Sequence, residues 1–246
     1  MFPDLIVPDW PAPDRVCARQ STRIGGVSRP PYASLNLGAH VADDDADVQQ
    51  NRMRLRAALG DDQLSLLWLN QVHGTGVCAL PADADALTAD AATTRNPGVV
   101  CAVLTADCLP ILLCDRAGSV VSAVHAGWRG LCAGVIENAV AAMGVPGSDC
   151  LAWLGPAIGP LAFEVGPEVR QAFLARDPAS ALAFERGDGD RWFADLYALA
   201  RHRLRKLGLN AIYGGDRCTF REAAYFYSYR RDGNTGRMAS LIWIAA

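Results

Sequence analysis

VVCAVLTADCLPILLCDRAGSVVSAVHAGWRGLCAGVIENAVAAM, residues 99–143, decides the fold class of this chain. It contains three short apolar runs, at residues 99–108, 109–115 and 119–128. The runs are rich in Val, Leu and Ile and are separated by turn-forming residues, so we expect three buried strands. The residues that follow, 129–143, match a helix. Short strands mixed with helices in this way predict an α/β (α+β) fold.

The segments on either side continue the mixed pattern. Towards the N-terminus we predict strands over 15–28 and 64–74, a helix over 48–59 and a polar surface segment over 81–97. Towards the C-terminus we predict a strand over 150–160, helices over 167–175 and 193–207, and two strands over 225–244. Because the chain shows neither a linker nor an internal repeat, we expect a single domain over residues 1–246.

The composition argues against several classes of protein. The 246 residues carry a net charge of −3, with 51% hydrophobic and 20% charged residues, which is typical of a globular domain. Without a basic stripe, we expect neither nucleic acid nor an anionic membrane as a partner. The N-terminus lacks the basic start and apolar run of a signal peptide, and no run approaches the ~18 apolar residues of a membrane span. We therefore expect a cytoplasmic protein whose eight cysteines are reduced.

Two histidines and one cysteine are the candidate metal ligands and catalytic groups. They are His73 in NQVHG, Cys108 in LTADC and His125 in SAVHAGWRG, each near the C-terminal end of an apolar segment. Two imidazoles and a thiolate suit a borderline-soft metal such as Zn²⁺, and three protein ligands leave one position open for catalysis. Their wide separation matches no compact metal motif, so the fold must bring them together. Each of the three could instead be a buried structural residue.

Three arginines are candidate phosphate ligands, since a guanidinium group can donate two parallel hydrogen bonds to phosphate. They are Arg23, Arg129 and Arg230, each in a different segment. We favour Arg23, because Gly25 and Gly26 behind it would let the backbone approach an anion as well.

Two polar residues next to the predicted ligands complete the candidate site. Asp107 precedes Cys108 and is a candidate catalytic acid or base, a support for the metal ligand, or a simple turn cap. Gln71 lies two residues before His73 and could bind the substrate or orient that histidine. The residue types leave these roles open.

Six segments, in chain order, resemble the bacterial laccase-domain family, also called YfiH-like proteins, polyphenol oxidases or peptidoglycan editing factors. They are STRIGGVS-x-x-PYASLNLG, NQVHGTGV, LTADCLPILL, AVHAGWRGL, GPAIGP-x-x-FEVG and FYSYRRDG-x-TGRMASLIWI. The resemblance covers nearly the whole chain. It implies a layered α/β/β/α sandwich with mixed sheets, and zinc bound by His73, Cys108 and His125. It also implies a zinc-dependent purine nucleoside phosphorylase that cleaves adenosine, inosine, guanosine and methylthioadenosine with inorganic phosphate, and that deaminates some adenosine.

The same residues leave two other enzyme classes open. Blue copper centres also use two histidines and a cysteine. A multicopper oxidase needs many more imidazoles than the two remaining histidines supply, so copper here would support only weak polyphenol oxidation. Alternatively, Cys108 and His125 form the thiolate–imidazolium pair of a cysteine hydrolase that acts on a cell-wall precursor or another amide. The sequence leaves open whether the protein is a monomer or a homodimer.

Overall fold

The computed structural model describes residues 3–83 and 87–245, and two large β-sheets packed face to face form its centre. The first sheet contains five strands, which are, in spatial order, β1 (Leu5–Ile6), β2 (Val16–Ser21), β14 (Met238–Ile244), β6 (Val99–Thr105) and β3 (Ser65–Leu66). The strand nearest the C-terminus, β14, therefore lies in the middle of this sheet, antiparallel to both β2 and β6.

The second sheet carries most of the candidate site. Its six strands are, in spatial order, β13 (Ala211–Gly214), β9 (Cys150–Leu154), β7 (Leu109–Asp115), β8 (Val121–Ala126), β5 (Ala91–Thr94) and β4 (Val77–Leu80). The antiparallel pair β7–β8 aligns Leu109 with Ala126, so the start of β7 lies beside the end of β8. A small third sheet consists of β10 (Glu164–Val165), β12 (Trp192–Ala194) and β11 (Phe184–Arg186).

Strand β7 shows why the central runs have no polar face. Leu112 and Cys114 pack in the layer between the two large sheets, whereas Ile111 and Leu113 pack against the helical layer. Successive side chains of a strand point to opposite faces, and both faces are covered here, so every residue of β7 is buried. Each such Leu or Ile contributes roughly 1.5–3 kcal/mol relative to an exposed side chain.

Helices cover the outer face of each large sheet. Helix α1 (Asp45–Ala58) packs against the five-stranded sheet, and the carboxylate of Asp44 caps it by accepting the N–H of Ala46. The six-stranded sheet is covered by α2 (Trp128–Ala133), α3 (Val135–Met143), α4 (Pro167–Arg176) and α5 (Leu196–Lys206). The predicted α/β/β/α layering is thereby confirmed. Within the two described ranges, no helix is both long enough and apolar enough to cross a membrane.

The predicted helix over 129–143 is two helices, α2 and α3. Gly134 separates them because it adopts a left-handed conformation, with φ of 113°, that ends α2. The strand predicted over 64–74 forms only at Ser65–Leu66, since the chain beyond β3 turns to form the loop that carries His73.

Part of the polar segment predicted at the surface, 81–97, is instead the buried strand β5. Its Ala and Thr side chains are small or polar, so the segment did not look like a buried strand. Threonine hydroxyls are tolerated in the protein interior when they are hydrogen-bonded. Thr93 donates to the carbonyl of Val121, and Thr94 to that of Leu80. Residues 84–86 of the predicted segment lie outside the described residues.

Of the two strands predicted over 225–244, only β14 forms. Before it lies a single helical turn, α6 (Tyr229–Asp232), whose start is capped by Ser228 accepting the N–H of Arg231. The guanidinium of Arg231 donates to the carbonyls of Thr219 and Phe226, which ties the turn to the preceding loop. The alternation of residue types that predicted a strand here does not reveal such side-chain hydrogen bonds.

Candidate metal centre and active site

The structure brings His73, Cys108 and His125 together at one end of the six-stranded sheet. His125 lies on β8, Cys108 lies in the turn before β7, and His73 lies in the loop between β3 and β4. Each residue offers one ligand atom, and these atoms all lie within 4.8 Å of one another. The two imidazole rings meet edge to face, with 4.7 Å between their centroids. In the described part of the chain, no other group of three His, Cys, Asp or Glu residues is arranged to hold a metal.

Tight turns make room for the cluster. Gly127 follows β8, and a Cβ atom at this position would lie 2.9 Å from Nδ1 of His73 and 3.0 Å from Sγ of Cys108. Only glycine fits there without displacing a donor. His73 and Asp107 have positive φ angles of 58° and 87°, which are uncommon for residues with a side chain. Backbone of this kind persists where surrounding contacts hold it, and such contacts are present here.

Asp90, which was predicted to lie in a polar surface segment, anchors both histidines. Its side chain is fully buried. Oδ1 lies 2.8 Å from Nδ1 of His125 and accepts the N–H of His73 at 2.9 Å. Oδ2 accepts the N–H groups of Gly74 at 2.6 Å and of Val72 at 3.3 Å. Because Nδ1 of His125 is engaged by the carboxylate, Nε2 is the nitrogen left for the cluster.

A repeated tetrapeptide could have located Asp90. LTAD occurs at 87–90 and at 104–107, each time just before a buried strand of the six-stranded sheet. The second copy ends in Asp107, whose Oδ1 accepts the hydroxyl of Thr219 at 2.6 Å and whose Oδ2 accepts the N–H of Arg230 at 2.7 Å. Both aspartates therefore hold loops around the cluster, and both oxygens of Asp107 are engaged by protein partners.

The electrostatics of the cluster favour a thiolate. Burial alone would raise the pKa of Cys108, but the charge and hydrogen bonds of His125 and His73 lower it to about 6. Burial alone would lower the pKa of His125, but the thiolate of Cys108 and the carboxylate of Asp90 raise it to about 9. For Asp90, hydrogen bonds from His125 and from the Gly74 N–H outweigh burial and lower the pKa. Thiolate is the form of cysteine that binds metals.

These residues fit a metal ion with mixed nitrogen and sulfur ligands. A thiolate and two imidazoles match the ligand set of zinc sites that keep one position open. The carboxylate behind His125 is the usual support of a metal-binding histidine, because it orients the ring and selects the tautomer. Of the two remaining histidines, His202 is hydrogen-bonded to Asp177 at 2.8 Å, and only His40 lines the same cavity as the three donors. At most one further imidazole is therefore near the cluster, fewer than a multicopper centre needs.

The cluster opens into a cavity of about 450 Å³, which lies within the usual range of small-molecule sites, roughly 300–1,000 Å³. Aromatic side chains form part of its wall, namely Trp128, Phe163 and Tyr229. Gln71 also lines the cavity, but its amide accepts the N–H of Leu104 at 2.7 Å and donates to the carbonyl of the same residue at 2.8 Å. Gln71 therefore braces the end of β6.

Two of the three predicted phosphate ligands line this cavity. Arg129 stacks on Trp128, with 4.5 Å from its guanidinium carbon to the ring centroid, and Arg230 donates to the carbonyl of Glu164 at 2.8 Å. Both arginines are exposed. They remain candidate ligands for phosphate.

Arg23, the arginine we favoured, does not line the cavity. Its guanidinium donates to the carbonyls of Ala33 and Ala223 and stacks on Tyr227, so its role in the structure is to join three loops. The glycine pair behind it has a packing reason, because a Cβ at Gly26 would lie 2.0 Å from the carbonyl oxygen of Ser34. This geometry gives no support to Arg23 as the phosphate ligand.

Several residues that line the cavity were not predicted as site residues, among them an arginine and a histidine. Arg237 lies in TGRMAS, just before β14, and His40 lies in LNLGAH. Both residues reach the cavity from loops of the other large sheet. Their positions along the chain therefore did not indicate that they line it. The sequence signal for Arg237 was its position in RRDGNTGR, the segment that also contains the predicted Arg230.

Comparison with known proteins identifies the family of this chain. The chain is 57% identical to the purine nucleoside phosphorylase YfiH of Escherichia coli, over 98% of both chains. It is 54% identical to a purine nucleoside phosphorylase of Pseudomonas aeruginosa, over 97% of this chain and 98% of the relative. Among solved structures, a Neisseria meningitidis protein superposes with a TM-score of 0.93 at 50% identity, over 98% of this chain and 99% of the other. The family model described as multi-copper polyphenol oxidoreductase laccase matches residues 17–245, and the chain therefore belongs to this laccase-like YfiH family.

Proposed function

We propose that this protein is a zinc-dependent purine nucleoside phosphorylase. The observation that carries the proposal is the 57% identity, over 98% of the chain, to a relative named purine nucleoside phosphorylase. The proposed substrates are adenosine, inosine, guanosine and methylthioadenosine. Inorganic phosphate cleaves each to the free base and ribose 1-phosphate or its methylthio form, and adenosine is also deaminated. The protein takes no nucleic acid or membrane as a partner.

The cavity supports a nucleoside as the substrate. Trp128, Phe163 and Tyr229 offer aromatic surface on which a purine ring can stack. Polar groups lie in the same wall, so a sugar and an anion can be held beside the base. The volume of about 450 Å³ suits a ligand of this size.

Phosphorolysis places specific demands on the side chains. A phosphate oxygen attacks C1′ while the bond to the purine breaks, so positive charge grows on the sugar and negative charge on the base. Arg129, Arg230 and Arg237 provide cationic donors for the phosphate in one cavity. We assign Asp107 a positioning role, because its oxygens hold the N–H of Arg230 and the hydroxyl of Thr219.

We assign the zinc ion to His73, Cys108 and His125, with Asp90 orienting the last of these. When bound, the ion supplies Lewis-acid polarisation of an oxygen atom and lowers the pKa of a water molecule. The chain itself keeps the thiolate and the imidazole nitrogens directed at one point and supplies the aromatic wall around them.

Product analysis tests this function. Protein of known metal content is incubated with adenosine, with and without inorganic phosphate, and the products are separated by chromatography. Adenine and ribose 1-phosphate that appear only with phosphate support the proposal. Equal release of free ribose without phosphate indicates a nucleoside hydrolase, and inosine as the sole product indicates that deamination is the main reaction.

One observation favours a second candidate, a cysteine hydrolase that acts on a cell-wall precursor or another amide. Cys108, His125 and Asp90 form a thiolate–imidazole–carboxylate series, with 2.8 Å between Asp90 Oδ1 and His125 Nδ1. Cysteine hydrolases use the same order of groups. Nucleoside turnover that survives complete removal of metal and disappears on alkylation of Cys108 supports the hydrolase. Activity that is lost on chelation and restored by zinc supports the phosphorylase.

A further inference from the structure

Arg237 is a half-buried arginine in the cavity wall that has no carboxylate partner among the described residues. Its Nη1 donates to the carbonyl oxygens of Thr235 at 2.8 Å and Gly236 at 3.0 Å. Within residues 3–83 and 87–245, its Nε and Nη2 atoms have no hydrogen-bond partner. These two nitrogens form one edge of the guanidinium, and their parallel N–H groups suit two oxygens of a phosphate.

The loop before α1 holds this side chain in place. The N–H of Arg237 donates to Oδ1 of Asn36 at 2.9 Å, and its carbonyl accepts the N–H of Leu37 at 3.1 Å. Gly38 lies against the side chain, since a Cβ at this position would come within 2.7 Å of Cγ of Arg237. The guanidinium is therefore preorganised by backbone contacts and does not need a ligand to find its position.

The cavity around Arg237 has an excess of positive charge. Three arginines line it, and its one lining carboxylate, Asp107, already accepts two hydrogen bonds from the protein. Burial lowers the pKa of Arg237, against the opposing charges of Cys108 and Asp107. Burial and the positive charge of Arg237 likewise lower the pKa of His40 in the same wall. Arg237 is half-buried and forms no ion pair with any described residue, so the cost of removing its charge from water is only partly offset and an anion that enters here is stabilised.

We propose that Arg237 is the principal ligand of inorganic phosphate in this cavity, beside His73, Cys108 and His125. The exposed Arg129 and Arg230 act at the mouth. The inference deepens the proposed phosphorylase function and rests on it for the identity of the anion. Its own basis is the unpaired guanidinium edge in a cavity with no free carboxylate among the described residues.

Titration of the holoprotein with inorganic phosphate tests the inference. Arg237→Lys keeps the charge but loses the paired N–H edge, so we expect the Kd for phosphate to rise about tenfold or more. Arg52→Lys is the matched control, because Arg52 is also half-buried and donates to the carbonyl of Leu37 in the same loop, but does not line the cavity. We expect its Kd to stay within about twofold of the wild type. Unchanged phosphate affinity in Arg237→Lys would overturn the proposal.

A measurement on the wild-type protein covers the case in which the lysine variant does not fold. Phenylglyoxal modifies accessible guanidinium groups, and peptide mass spectrometry gives the rate at each arginine. Phosphate should slow the modification of Arg237 and leave that of Arg23, outside the cavity, unchanged. Equal rates at Arg237 with and without phosphate would contradict the inference. A nucleoside monophosphate is titrated in a parallel arm, and protection by the monophosphate alone also overturns the assignment to inorganic phosphate.

The experiments distinguish a failure of this inference from a failure of the proposed phosphorylase function. Phosphate binding that depends on Arg237, in a protein that cleaves no nucleoside, would support this inference and contradict the phosphorylase. Phosphate-dependent cleavage that is insensitive to Arg237→Lys would support the phosphorylase and contradict the inference.

Discussion

Replacing Asp90 with asparagine tests how far the metal site depends on one buried carboxylate. The carboxylate receives four contacts: His125 Nδ1 and the N–H of His73 on one oxygen, and the N–H groups of Val72 and Gly74 on the other. An asparagine has one acceptor oxygen and one NH₂ group in the same space. Whichever way the amide turns, its NH₂ group faces a backbone N–H that the carboxylate had accepted.

Both orientations of the amide have a cost. If its NH₂ group faces His125, the ring must accept on Nδ1 and carry its proton on Nε2, the nitrogen that faces the cluster, which opposes metal binding. If the NH₂ group faces the loop, the N–H groups of Val72 and Gly74 lose their acceptor, at about 1–3 kcal/mol for each unsatisfied donor. Substitutions behind a metal-binding histidine typically lower metal affinity about 10–100-fold. We expect a loss of zinc affinity in that range for Asp90→Asn.

The assay is a competition titration of zinc against a chelator, together with thermal unfolding of the metal-free protein. Asp115→Asn is the matched control, because Asp115 is also buried and holds the backbone N–H groups of Ser119 and Val120 in a turn away from the cluster. Both variants should lose stability, whereas only Asp90→Asn should lose zinc affinity. Wild-type zinc affinity in Asp90→Asn would refute the idea that the metal site depends on this carboxylate.

Three further outcomes are expected. The purified protein should hold about one zinc ion per chain, and alanine at His73, Cys108 or His125 should remove it; metal analysis showing full retention in all three variants would disprove the ligand assignment. After chelation, iodoacetamide should alkylate Cys108 at a rate that rises with pH to a plateau, with its midpoint near the pKa of about 6. Bound zinc should protect the thiolate, and a midpoint near the ordinary thiol value would contradict the described electrostatics. In phosphate kinetics, Arg23→Lys should leave KM unchanged because this guanidinium lies outside the cavity, whereas Arg230→Lys should raise it several-fold. A raised KM for phosphate in Arg23→Lys, with an unchanged KM in Arg230→Lys, would instead support Arg23 as the phosphate ligand.

The sequence by itself determined the mixed α/β character of the protein and three donors of the candidate metal site. The central strands are buried on both faces, so their side chains must be apolar, and runs such as 109–115 are visible without a structure. The donors were identifiable because the chain has only four histidines and because Gly127 and its neighbours form specific motifs. These signals are local in the chain.

Only the tertiary structure decided which other residues surround those donors. Asp90 appeared to belong to a polar surface segment, because a strand of Ala and Thr has no apolar periodicity, yet it is fully buried behind His125. Arg23 and Arg237 look alike in the sequence, since each is an arginine within two residues of a glycine in a motif. The fold binds the first to carbonyl groups outside the cavity and directs the second into it. Hydrogen bonds between residues far apart in the chain depend on how the sheets pack, and no local pattern encodes that packing.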